Sequence, residues 1–187
     1  MAFEAQYYGP VFSALLNKRR LNGLDGDTEN VAALDSLKSL TVERAFDGKT
    51  IIDPEMADAC VSGAWLYHNF LNQSHTISQS IHSATGSFWH GIMHRREPDF
   101  SNSKHWFRKV GEHAVFDAIR EAACETAAVG GSDSAFLRDQ AAWDPYAFVD
   151  LVEACLGGQS DADGICREIQ QREFELLFDY SYRKSVE

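Results

Sequence analysis

Residues 53–71 read DPEMADACVSGAWLYHNFL. Asp53, Pro54 and Glu55 form a helix start. The aspartate carboxylate accepts from first-turn amides, proline lacks an N–H that this turn would leave unbonded, and the glutamate sits at the positive end of the dipole. Behind them Met56, Cys60, Ala64, Tyr67 and Leu71 recur every three or four residues, the spacing of one buried helical face. The same start returns at Asp144 and Pro145, with Phe148, Leu151, Val152 and Cys155 behind it and Gly157 and Gly158 as the stop. No segment sustains the apolar and polar alternation of a strand. The chain is therefore predicted to be all-α.

Further helices are expected on either side. Pro10 to Leu21 is one, broken by GLDGD at 23–27; Thr28 is the expected cap of a second, through Val31, Leu34, Leu37 and Leu40 to Asp47 and Gly48. NQSHTISQS at 72–80 is expected to interrupt helical structure, because hydroxyl and amide side chains compete for backbone hydrogen bonds. A helix should run from the ATGS turn (84–87) through Trp89 and Met93 until Pro98 closes it, and DFSNS (99–103) reads as a cap and turn before Lys104 to Val110. His113 to Val129 and Asp163 to Tyr182 complete the set. The expectation is a single domain over 1–187, an irregular bundle of about seven to nine helices.

Bulk properties narrow the partners. With 187 residues, 44% of them hydrophobic and 12% aromatic, the chain can bury a substantial core. Seventeen Lys plus Arg against 28 Asp plus Glu give a net charge of -11, which repels nucleic acid and anionic membrane surfaces. Glu4 stands where a secretory signal would carry basic residues, and no window approaches eighteen apolar residues. Cys60, Cys124, Cys155 and Cys166 form no CxxC pair and read as thiols of a reducing compartment; the expected location is the cytoplasm.

Composition changes most over GSFWHGIMHRREPDFSNSKHWFRK, residues 86–109. Five of the 17 basic residues, Arg95, Arg96, Lys104, Arg108 and Lys109, fall between 95 and 109, interleaved with aromatic rings. This predicts a pocket for a small phosphate- or carboxylate-bearing molecule, with Arg95, Arg96, Lys104 and Arg108 meeting its charge and Trp89 and Trp106 its apolar part. His75, His90, His94 and Glu97 are the candidate acid–base groups. A second reading is metal-dependent catalysis with a divalent ion as cofactor: His90 and His94, four apart, share a helical face, and His75, His82, Glu97 or His105 would supply the third ligand. A third is a structural or interaction protein with a buried polar network, in which Arg95 and Arg96 pair with Glu97, Asp99 or distant acids. No GxSxG elbow, no phosphate loop and no cysteine within the cationic stretch supports serine, nucleotide or thiolate chemistry.

Three strings, at 74–111 around HRREPDFSNSK, at 143–153 (WDPYAFVDLVE) and at 166–186 (CREIQQREFELLFDYSYRKSV), resemble a family of uncharacterised bacterial and fungal proteins of about this length. The resemblance covers most of the chain after residue 50 and brings no established activity, cofactor or ligand with it.

Overall fold

A capping carboxylate and a proline set a helix on which five others pack. In the computed structural model, which describes residues 3–186, the Asp53 carboxylate accepts from the Met56 amide at 3.2 Å. Among the described residues there are eleven α-helices, short 3-10 turns and no strand. The expected seven to nine is exceeded because three of the eleven are single turns of four or five residues.

α1 (Gly9–Leu16) stops well short of Leu21. The chain beyond it gives its backbone bonds to side chains of other elements: Tyr67 Oη donates to the Lys18 carbonyl at 2.9 Å and Gln170 Nε2 to the Gly23 carbonyl at 3.4 Å. Instead of one helix from Thr28 to Asp47 there are two turns, α2 (Leu34–Lys38) and α3 (Val42–Ala45). Thr28 caps neither; its carbonyl accepts from Asn69, and Thr41 caps α3 through the Arg44 amide.

α4 (Pro54–Tyr67) is buried on nearly every side. It ends at Tyr67, and Asn69 takes the left-handed conformation (φ 67°) that asparagine tolerates better than most residues. Leu71, expected to close the α4 stripe, instead opens α5 (Leu71–Ser78), which occupies the polar stretch expected to be irregular. That stretch is helical because its hydroxyls find partners that cost the backbone nothing. Thr76 donates to the carbonyl of Asn72, four residues back, and Ser62 of α4 donates to the Ser74 carbonyl at 3.0 Å.

α6 (Ala84–Arg96) is capped by Ser83 and buried from Thr85 to its end. It closes at Glu97, before Pro98, as expected. α7 (Phe100–Val110) starts earlier than Lys104, because Asp99 caps it through the Asn102 amide at 3.2 Å. α6 and α7 meet where Ser103 Oγ donates to the Gly91 carbonyl at 2.8 Å. α8 (Phe116–Ala127), the single turn α9 (Phe136–Asp139), α10 (Pro145–Leu156) and α11 (Asp163–Val186) complete the chain. Asp144 caps α10 through two amides, at 2.9 and 3.1 Å.

The buried apolar residues form one continuous cluster. α11 packs along α4, α8 and α10, and an aromatic group of Tyr8, Phe12, Phe174, Phe178 and Tyr182 joins it to the N-terminal segment. Gly63 lets α4 approach α6: a Cβ there would lie 2.8 Å from the Trp89 ring. Among the described residues no helix is long and apolar enough to cross a membrane.

Candidate metal centre

Residues adjacent in sequence on a helix point in different directions. At about 100° per residue, His90 and His94 lie roughly 40° apart on one face of α6, while Ile92 and Arg96 share the opposite face. α5 packs on the histidine face and brings His75 to it. The ring centroids of His75 and His90 are 4.6 Å apart, those of His90 and His94 4.7 Å, and those of His75 and His94 5.3 Å. One nitrogen from each ring lies within 4.8 Å of the other two. His90 and His94 are buried and His75 is half-buried.

The outer nitrogens of the two buried rings have partners. Ser78 Oγ donates to the His75 carbonyl at 3.3 Å and is 2.8 Å from His90 Nδ1, so it accepts from His90 Nδ1–H and leaves the Nε2 lone pair of that ring free. His94 Nδ1 lies 3.2 Å from the Glu97 carboxylate and donates to it; the Asn102 side-chain amide sits 3.1 Å from His94 Nε2. Hydroxyl and carboxylate acceptors behind an imidazole are the partners that orient histidine ligands at metal sites. The Trp106 ring stands 4.0 Å from the His90 ring, and the Lys109 ammonium lies 3.8 Å above Trp106.

Burial decides the protonation state. It pushes the His90 imidazole down to about 3, with the positive forms of His94 and His75 and the Lys109 ammonium adding to the effect. Burial also lowers His94, opposed chiefly by the Glu97 carboxylate. The adjacent arginines are not the cause, since no guanidinium ranks among those influences. Two neutral imidazoles beside a third histidine form a nitrogen donor set for a divalent ion once the Asn102 amide gives up the His94 Nε2 lone pair. Tetrahedral coordination at 2.0–2.1 Å spaces nitrogens about 3.4 Å apart, so closing on an ion draws the rings together by about an ångström.

The other sequence-predicted residues go elsewhere. Arg95 has 0% exposure and is sealed: its guanidinium binds both carboxylate oxygens of Glu173, itself 0% exposed, and lies over Phe148 at 4.7 Å. Arg96 is buried on the side of α6 away from the histidines, donating to the Leu66 carbonyl at 3.4 Å and to Asn69 Oδ1. Lys104 pairs with Asp150 at the surface, and Arg108 is exposed. Trp89 is a core residue whose Nε1 donates to Ser181 Oγ at 3.2 Å. Glu97 serves His94, and His82 and His105 are exposed and outside the cluster. The predicted convergence of His75, His90, His94, Arg95, Arg96, Lys104 and Trp106 on one cavity therefore divides: the three histidines and Trp106 come together, whereas Arg95, Arg96 and Lys104 do not join them.

Ser78, Asn102 and Lys109 complete the site without having been singled out for it. Ser78 stands three residues after His75 on the same helix face, the one sequence signal that could have marked it. Asn102 and Lys109 reach the cluster only because α7 folds back on α6. Searches against protein families, curated proteins and solved structures find no match to this chain, so the site is read from its own geometry.

Proposed function

We propose that this protein binds one divalent metal ion, zinc or a neighbouring transition metal, through His75, His90 and His94, and uses it to activate water against a small anionic substrate. The observation that carries the reading is the approach of three imidazole nitrogens within 4.8 Å of one another, two of the rings being buried and held from behind by Ser78 and Glu97. Three protein ligands are the number found in catalytic zinc sites, which keep a position for water or substrate, whereas structural sites close with four. Such an ion lowers the pKa of bound water to about 7 and polarises a carbonyl or phosphoryl oxygen. The reaction class is then hydrolysis or hydration. Lys109, held on Trp106 beside His90, is the cation placed to attract a carboxylate or phosphate.

Calorimetric titration of chelator-treated protein with zinc tests the reading. One equivalent per chain is expected, with His75→Ala weakening binding at least tenfold and Ser78→Ala by about 10- to 100-fold, the range typical of outer-shell partners. Binding that survives His75→Ala unchanged would overturn it. The contact of Asn102 with His94 Nε2 favours a second reading, a sealed hydrogen-bonded network without metal. Asn102→Ala separates the two: it frees a ligand atom and preserves or tightens zinc binding on the first reading, and only destabilises the protein on the second.

A further inference from the structure

The opposite face of α6 lines a small cavity. There Arg96 and Ile92, the loop residues Arg20 and Asn22, and Arg167 and Gln170 of α11 line a cavity of about 20 Å³. Its wall holds three guanidinium groups and no carboxylate. One of the three is already balanced, since Arg167 is ion-paired with Asp163 and its Nη2 donates to Asp163 Oδ2 at 3.3 Å. The other two are not. Arg96, 2% exposed, reaches only neutral acceptors, and its Nε has no partner. Arg20 has no side-chain hydrogen bond or ion pair among the described residues, and its Nε is also buried without a partner. Asp25 and Asp27 act on Arg96 without lining the cavity.

A buried cation such as Arg96 with no carboxylate in contact is costly unless an anion joins it, and the half-buried Arg20 faces the same space. The orphan acceptor narrows the choice. Gln170 Nε2 donates to the Gly23 carbonyl, which fixes the amide orientation and leaves Oε1 as a buried acceptor with no donor. A ligand for this set needs oxygens for Arg20 and Arg96 and one O–H for Gln170. Hydrogen phosphate and singly protonated phosphomonoesters carry both; sulfate, of nearly the same size and shape, carries no proton near neutral pH.

We propose that the cavity between Arg20, Arg96 and Gln170 binds a phosphate group, either inorganic phosphate or the tip of a phosphomonoester. The space is little more than one water requires, so entry of a phosphate needs the half-buried Arg20, on the loop of residues 17–30, to swing outward while its guanidinium stays on the anion. This site lies across α6 from the histidine cluster and does not depend on a metal there.

The test is calorimetry and thermal unfolding of the full chain with inorganic phosphate, methyl phosphate or sulfate, at matched ionic strength and without added metal. Phosphate is expected to bind and raise the unfolding midpoint, with sulfate at least about tenfold weaker and Arg20→Gln reducing phosphate affinity at least about tenfold. His75→Ala is expected to leave phosphate binding unchanged, which keeps failure here distinct from failure of the metal reading. Methyl phosphate binding as tightly as inorganic phosphate assigns the site to a monoester tip; much weaker binding assigns it to the free ion. Absence of phosphate binding at about 10 mM, equal binding of sulfate, or no effect of Arg20→Gln would each overturn the proposal.

Discussion

Arg95 and Arg96 are adjacent and both buried, yet their environments differ in kind. Arg95 meets a carboxylate in a two-pronged pair with an aromatic ring beneath it, whereas Arg96 has only amide and carbonyl oxygens, and burial together with the Arg95 charge lowers it to about 10. It remains charged at neutral pH. Removing one partner of a buried pair strands the other, so Glu173→Gln should cost about 3–5 kcal/mol in urea unfolding. The double replacement Arg95→Met with Glu173→Leu should recover most of that loss, because it takes both charges out of the interior. A Glu173→Gln variant as stable as the parent would show that the pair contributes little.

Helix by helix, the elements with explicit ends were legible and those defined by packing were not. Asp53 with Pro54 and Asp144 with Pro145 begin α4 and α10 as read, because a cap is a local interaction between residues two or three apart. Asp144→Ala should lower stability by about 1 kcal/mol, measured by denaturant titration. α5 was misread because its serines and threonine, which destabilise an isolated helix, here bond within their own turns or to α4 and α6. The cationic stretch was misread in another way. Proximity in sequence suggested one pocket, but a helix distributes neighbours around its axis, so α6 sends histidines to one side and Arg96 to the other. His75 stood among four possible third ligands, and the break after Tyr67, invisible in the periodicity, placed it. The close approach of α4 and α6 was equally hidden. Gly63→Ala should cost about 1–3 kcal/mol by pressing on Trp89, and no change in thermal midpoint would mean that the helices can separate freely.

Across the whole molecule, stability should depend on acid through the buried histidines, those outside the cluster as well as His90. His68 donates from Nε2 to the Leu15 carbonyl and accepts from Asn30 at Nδ1, while His113 Nε2 lies 3.0 Å from Thr85 Oγ1. Burial holds both near 4, below the usual 6.5. The unfolded chain therefore binds more protons between those values. Unfolding free energy is complete above about pH 6.5 and falls as pH drops toward 4, by up to about 1.4 kcal/mol per unit for each group and less for the partly open His113. Urea unfolding at pH 7.5 and pH 5 checks this: the midpoint should be lower at pH 5, and His68→Gln should flatten the slope. The central claim concerns the three histidines, and anomalous diffraction from a crystal soaked in zinc addresses it most directly. The account predicts one strong peak bonded at about 2.0–2.2 Å to a ring nitrogen of each of His75, His90 and His94. An ordered structure with no peak there, and zinc only at exposed groups such as His82 or His105, would contradict it.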